Sequence, residues 1–273
     1  MDPLLVLAVV AVGFASGILS GMFGVGGAVL TTPGLRALGA TPIEAVGSTL
    51  PAILPGALSG AWHYRKAGLI EWRVALTSGG IGAGFAIAGA ELSDHVNAHY
   101  LMLLTAGLVL YSGLSNMRAH VKISSAAPIP VPTVVGGAAL DQMPQPVVST
   151  DSWVGFAVIG AGAGLLAGLL GVGGGLLLIP GYTVLLRMPP KRAVATSLVA
   201  VAMFSVPAML THAWLGHINW TYALLLTAGV MPGARVGARF TLAGSEARLR
   251  FLMGLFFTVL AIVYGGAELA ASF

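Results

Sequence analysis

The chain has 273 residues, of which 57% are hydrophobic and 8% charged, with a formal net charge of +4. A soluble domain carries about 25% charged residues, so most of this surface does not face water. Cysteine is absent, which excludes disulfides, thiolate metal sites and cysteine nucleophiles.

Apolar stretches of about 20 residues recur along the chain, each long enough for a bilayer core of about 30 Å. They are continuous and do not alternate with period two, so the class is a polytopic helical membrane protein and not a barrel. The basic residues sit in the connections, where they set membrane orientation and do not imply nucleic acid as a partner.

In chain order, the first stretch is 4–22, and no Lys or Arg precedes Val12. The positive region of a signal peptide is therefore missing, and this stretch is expected to be retained. Further segments are expected at 27–39, 43–63, 71–91 and 97–118. Residues 119–150 then hold five prolines and several small polar residues, a composition suited to an extended aqueous linker. The remaining segments are 152–170, 175–187, 190–213, 219–240 and 247–268. The expected organisation is a first transmembrane repeat (1–118), a cytoplasmic Pro-rich linker (119–150) and a second repeat (151–273).

The duplication is written in the residues. GMFGVGGAVLTTPGL at 21–35 corresponds to GLLGVGGGLLLIPGY at 168–182, and ten of nineteen positions are identical between 17–35 and 164–182. After a one-residue shift, 42–72 matches 190–220, with AVGSTLPA facing AVATSLVA and both copies ending on tryptophan, Trp72 and Trp220. Ordered Gly, Pro, Ser/Thr and Trp matches of this kind mark an internal repeat.

Charge decides how the repeats are oriented. His63-Tyr64-Arg65-Lys66 follows the third segment of the first half, whereas Thr211–Gly216, its counterpart, has no Lys or Arg. Conversely Arg187, Lys191 and Arg192 precede the third segment of the second half, and Arg239, Arg248 and Arg250 surround its last turn. The basic bias swaps sides between halves. About five crossings per half, with both termini outside and the linker inside, put every basic loop in the cytoplasm. An odd number of crossings makes the repeats inverted, as in many secondary transporters. The expected fold is an all-α transmembrane bundle of two inverted-topology repeats.

Glycines inside apolar helices cost about 1 kcal/mol each against alanine, so the paired GVGG clusters ask for a reason. The segment after each cluster is about 13 residues and reaches only about 20 Å, less than the bilayer core. Each cluster is therefore expected to be the joint of a broken or hairpin helix pair. Helices starting at Gly26-Gly27 and at Gly173-Gly174-Gly175 would present free N–H groups and a positive dipole end, which suit an anion. The flanking Gly17xxxGly21, Gly164xxxGly168 and Gly229xxxGly233xxxGly237 fit close helix packing instead.

Ser48-Thr49 and Thr196-Ser197 form a second matched pair, able either to donate to an oxyanion or to bond their own helix carbonyls. His63, His212 and Arg235 are candidates for a proton or anion pathway, since ionisable groups in membrane spans carry function by default. No mid-span carboxylate, HExxH motif or nucleophile–base set is present, so no catalytic residue, metal or cofactor is expected.

These motifs resemble those of the sulfite exporter TauE/SafE family of membrane permeases. The resemblance rests on the paired GLLGVGGG-type motifs with Pro33-Gly34 and Pro180-Gly181, the Ala-Thr-Ser-Leu stretch at 195–198, and the Gly-x-Ile-x-Trp endings. It covers nearly the whole chain outside 119–150. It implies a multi-pass transporter of a bacterial-type plasma membrane, carrying sulfite, sulfoacetate, related sulfonates or organic acids, with protons as a possible coupling ion. By position it implies a substrate region of Gly24, Gly26, Gly27, Ser48, Thr49, Gly171, Gly173, Gly174, Gly175, Thr196 and Ser197. An anion channel or a non-transporting membrane subunit fits the same residues; an intramembrane enzyme fits them worst. Oligomeric state is not written in the sequence.

Overall fold

The computed structural model describes residues 2–93, 153–171 and 174–271, together with positions 95, 107, 110, 111, 113 and 114. Most of the expected segment at 97–118, and the whole linker at 119–150, lie outside the described residues. Among those described, the structure is helical throughout, with no strand.

Helix α1 (Pro3–Phe23) starts where the Asp2 carboxylate accepts from Leu4 N at 3.0 Å with proline in the first turn, and it ends at Gly24. Helix α2 spans Ala28–Ala37. Helix α3 (Pro42–Lys66) opens on a capping box in which Thr41 and Glu44 satisfy each other's end of the first turn; such boxes pair two otherwise orphaned donors. Helix α4 spans Trp72–Ser93. In the second half, α5 is Trp153–Leu170 and α6 begins at Gly175–Pro180 before widening into a π-helical turn, Gly181–Leu185. Pro180 lacks the N–H that would continue the α ladder, and Leu186 N instead bonds the carbonyl of Gly181, five residues back. Then come α7 (Pro190–Trp214), α8 (Trp220–Ala243, capped by the Asn219 side chain) and α9 (Glu246–Ala271).

Four of these described helices, α1, α4, α5 and α7, are long and apolar enough to cross a membrane. The helices fall on the expected apolar segments with ends shifted by a few residues. Both short segments fold back on their predecessors. Gly27 lies against Ser16 and Ser20 and Gly34 against Val12, so α2 returns along α1. Gly174 lies against Ala163 and Gly181 against Ile159, so α6 returns along α5.

The long helices cross between the halves. Helix α1 packs on α8, and α5 packs on α4. A Cβ added to Gly13, Gly17 or Gly21 would strike the carbonyls of Leu226, Val230 and Ala234 in turn. One added to Gly160, Gly164 or Gly168 would strike those of Ser78, Gly82 and Ala86. Glycine at every fourth position removes the side chain and brings backbone onto backbone, which replaces hydrophobic driving force inside a bilayer. The register rises together in each pair, so α1 and α8 run parallel, as do α5 and α4. Helix α3 then lies along α8 and α7 along α4, while α3 and α7 meet at the centre. The core between them is small-residue rich, with Leu50, Ile53, Ala57, Leu178, Leu198, Ala200 and Phe204 fully buried.

Candidate functional site

Each glycine cluster sits in backbone that only glycine adopts without strain. Gly24, Gly26 and Gly27 have φ of 69°, 88° and 87°, and Gly171 and Gly174 have 63° and 65°. These left-handed residues cost a side chain about 1–2 kcal/mol, and they let the chain leave one helix and reverse into the next. Gly173 lies outside the described residues. The two breaks touch: a Cβ on Gly175 would fall 2.5 Å from Val25 Cα and 2.6 Å from the Gly24 carbonyl oxygen.

The hydroxyl pairs reach across the same centre. Thr49 Oγ1 donates to the Val46 carbonyl at 2.8 Å and lies 3.3 Å from the Gly171 carbonyl. Ser197 Oγ matches it, 3.0 Å from the Val194 carbonyl and 2.9 Å from that of Gly24. Ser48 Oγ accepts from Asn219 N at 2.8 Å, and Thr196 Oγ1 accepts from Glu71 N at 3.1 Å. The four bonds therefore fall into two matched pairs, each tying a third helix of one half to the break or the Trp-bearing helix start of the other. In this conformation the Thr49 and Ser197 hydrogens are directed to backbone carbonyls, whereas Ser48 and Thr196 accept at oxygen and do not use their hydroxyl hydrogens in these contacts.

Two further matched contacts lie one turn before the breaks. Tyr64 OH donates to the Gly21 carbonyl at 2.7 Å, and His212 Nε2 lies 3.1 Å from the Gly168 carbonyl. His212 is fully buried, and its Nδ1 is 3.0 Å from Nδ1 of His217. Beside the first break, Ser20 Oγ is buried without a hydrogen-bond partner, as is Thr32 Oγ1. Ser20, Phe23, Val25, Gly27, Phe256 and Phe257 line a small apolar cavity there.

Arg235 stands apart from the breaks. Its Nε donates to Ser59 Oγ at 3.0 Å, and Ser59 Oγ in turn donates to the Met231 carbonyl at 3.1 Å. His63 Nδ1 donates to the Ser59 carbonyl at 3.1 Å. With Lys66 and Arg239 these side chains line an open basic groove between α3 and α8. Among the described residues no three His, Asp or Glu gather in a way that would hold a metal.

The sequence marks the breaks, the Ser/Thr pairs, His63, His212 and Arg235, and it does not mark Ser20, Tyr64 or His217. Ser16 and Ser20 are spaced one turn apart on an otherwise apolar helix, which was the available signal for the first. His217 is five residues from His212 but in a turn, where spacing carries no partner information.

An apolar helical bundle with glycine-broken hairpins meeting at its centre and four helices long enough to cross a bilayer has the make-up of an integral membrane protein. A family model described as sulfite exporter TauE/SafE matches residues 9–264, and the chain belongs to that family of membrane transporters. It is 30% identical over 248 residues to the probable membrane transporter protein YunE of Bacillus subtilis (strain 168), covering 84% of this chain and 86% of that one. It is 27% identical over 234 residues to the probable membrane transporter protein YdhB of the same organism, with 85% and 89% covered. The probable membrane transporter protein MJ0441 of Methanocaldococcus jannaschii is 22% identical over 267 residues, with 92% and 90% covered. No solved structure matches.

Proposed function

We propose that the chain carries a small sulfur-containing or organic anion, such as sulfite, sulfoacetate or a related sulfonate, across a bacterial-type plasma membrane. The anion sits between the two glycine breaks and is moved by alternating access of two inverted repeats. The observation that carries this reading is the direct contact of Gly175 with Gly24 and Val25. Broken helices meeting backbone to backbone at one centre are how many secondary transporters build a substrate site. Non-helical backbone at that depth is tolerated only inside protein or beside a wet cavity.

Inversion has its own support. Gly60 of α3 lies against Leu198, near the start of α7, whereas Gly47 lies against His217, beyond its end. Helices α3 and α7 thus run oppositely, and so do α1 and α5, which follow them through α8 and α4. Basic residues also gather at one end of the bundle. Arg192 pairs with Glu71, and Lys191 Nζ donates to the Leu242 carbonyl at 3.1 Å, close to the Arg65-Lys66 end of α3. A cytoplasmic position for that end leaves both termini outside.

In the conformation described, the breaks are too close for a substrate. An anion enters when the α1–α3–α8 and α4–α5–α7 groups part, and their return closes the site. Uptake of labelled sulfite and sulfoacetate into proteoliposomes tests the reading. Saturable counterflow is expected for a carrier, and Gly26→Val or Gly174→Val is expected to abolish it while the variant still unfolds cooperatively. Normal flux in folded variants overturns the glycine site, and flux without counterflow makes the protein a channel.

A further inference from the structure

We propose that the groove between α3 and α8 binds an anionic phospholipid, with the phosphodiester at its basic end and an acyl chain along its apolar end. The inference needs the chain to lie in a bilayer; it does not need the transport reading.

Both walls of the groove change character in the same direction. A Cβ on Gly56 would meet Val230, and one on Gly60 would lie 3.9 Å from the Ala234 carbonyl oxygen, so α3 and α8 run side by side and parallel. On α3 the lining passes from Pro55 and Leu58 to Lys66, and on α8 from Met231 through Arg235 to Arg239. The step from Met231 to Arg239 is about 12 Å along the helix. A phospholipid has this same profile, hydrocarbon first and phosphate at the interface.

Trp62 sets the depth. Its ring is 54% exposed on the flank of the groove, and tryptophan in membrane proteins gathers at the headgroup level. The Arg65 guanidinium and the Lys66 ammonium lie 5.8 Å and 5.4 Å from its ring centroid. The Lys66 end is therefore at phosphate depth, and Pro55, Leu58 and Met231 lie below it among acyl chains. Leu58 is also 54% exposed, which suits contact with a lipid tail.

The cations at this end lack a counter-charge from the protein. Among the described residues no carboxylate pairs with Lys66, Arg235 or Arg239, and Glu71, which follows α3 in the chain, is taken by Arg192. Arg235 uses only Nε, on Ser59 Oγ at 3.0 Å. Its Nη groups make no hydrogen bond among the described residues, and a guanidinium fork matches two phosphate oxygens.

Chemistry selects the occupant. A small hydrophilic oxyanion is served by the cations but gains nothing from Leu58 or Met231. The linker 119–150 has one carboxylate, Asp141, offset by Lys122, so it brings no net negative charge to neutralise the groove. An anionic amphiphile satisfies both ends at once, and basic pockets between membrane helices are established places for lipid head groups.

Native mass spectrometry of the purified protein, offered phosphatidylglycerol and phosphatidylcholine in equal amounts, tests the assignment. Wild type is expected to retain phosphatidylglycerol preferentially. Lys66→Gln and Arg239→Gln are each expected to lower that preference about fivefold. Arg73→Gln, exposed at the start of α4, removes a charge elsewhere and is expected to leave it unchanged. An undiminished preference in the Lys66→Gln/Arg239→Gln double variant, still unfolding cooperatively, overturns the proposal, as does an equal loss in Arg73→Gln. The chain has no cysteine, so Leu58→Cys carries a single bimane label. Its quenching by tail-brominated phosphatidylglycerol is expected to exceed that by the phosphatidylcholine analogue and to lose this excess in the double variant; equal quenching overturns the tail's placement. Sulfite or inorganic phosphate at millimolar concentration is expected to leave the lipid bound. Displacement by either makes the groove a vestibule for free anions and overturns the lipid assignment, whereas a failure of sulfite uptake removes the transport reading and leaves the lipid site standing.

Discussion

Ser197 Oγ lies 2.9 Å from the Gly24 carbonyl, so a hydroxyl from the second half holds the helix break of the first. The mirrored contact, Thr49 to Gly171, is longer at 3.3 Å, with the Val46 carbonyl nearer at 2.8 Å. A buried neutral hydrogen bond adds about 0.5–1.5 kcal/mol net. Ser197→Ala is therefore expected to lower unfolding stability by about 1 kcal/mol, measured by denaturant or thermal unfolding in detergent. Ser197→Thr borrows the residue the first half uses and should keep the bond. Equal stability of the alanine variant and wild type would remove the cross-tie from the argument.

Backbone strain separates two kinds of glycine. Gly171 has φ of 63°, and a Cβ there would lie 2.9 Å from the Val46 carbonyl oxygen. Gly171→Ala is expected to lose at least about 1–2 kcal/mol from the left-handed conformation alone. Gly80, inside α4, has nothing within 4 Å of its Cβ position. Gly80→Ala is expected to be neutral or to gain about 0.5–1 kcal/mol from helix propensity. Unfolding curves that rank the two variants the other way would contradict the backbone described.

The helix-packing glycines make a third case. A side chain on Gly164 would meet the backbone of Gly82, which is already glycine. Overpacking costs about 1–3 kcal/mol where side chains can yield, but here no partner side chain exists to shorten. Gly164→Val should destabilise by more than that range and should not be rescued by any substitution at position 82. A rescued double variant, folded to the wild-type melting temperature, would show that the helices are not in backbone contact.

Much of this was legible because the decisive residues carry local signals. Pro3, Pro42 and Pro190 open helices, Thr41 and Glu44 form a capping box, and the two GVGG clusters mark left-handed breaks. What sequence did not reveal is which helix each glycine face meets. Gly17 packs on Val230 of the other half, and its partner is a main-chain carbonyl, which leaves no mark in residue type. The same holds for Thr49 and Ser197: their type suggests the bonds to their own helix carbonyls, Val46 and Val194, but not the second carbonyls they reach, well over 100 residues away in the chain. Tyr64 and His212 occupy matched positions with different chemistry, so a search for identical residues in the two halves does not pair them.

Ser20 gives a direct handle on the proposed anion site. Its hydroxyl is fully buried beside Gly27 and has no hydrogen-bond partner, while the matched position in the second half is Ala167. An unsatisfied buried hydroxyl costs about 1–3 kcal/mol of desolvation, so Ser20→Ala is expected to leave the empty protein as stable as wild type or more so. If the hydroxyl donates to the substrate when the breaks part, the same change weakens binding, and the KM for sulfite should rise about fivefold or more for one lost hydrogen bond of about 1 kcal/mol or greater. Thermal unfolding and sulfite uptake, measured on one preparation, give the two numbers. A loss of stability would mean that Ser20 has a structural partner. An unchanged KM would take Ser20 out of the anion's path.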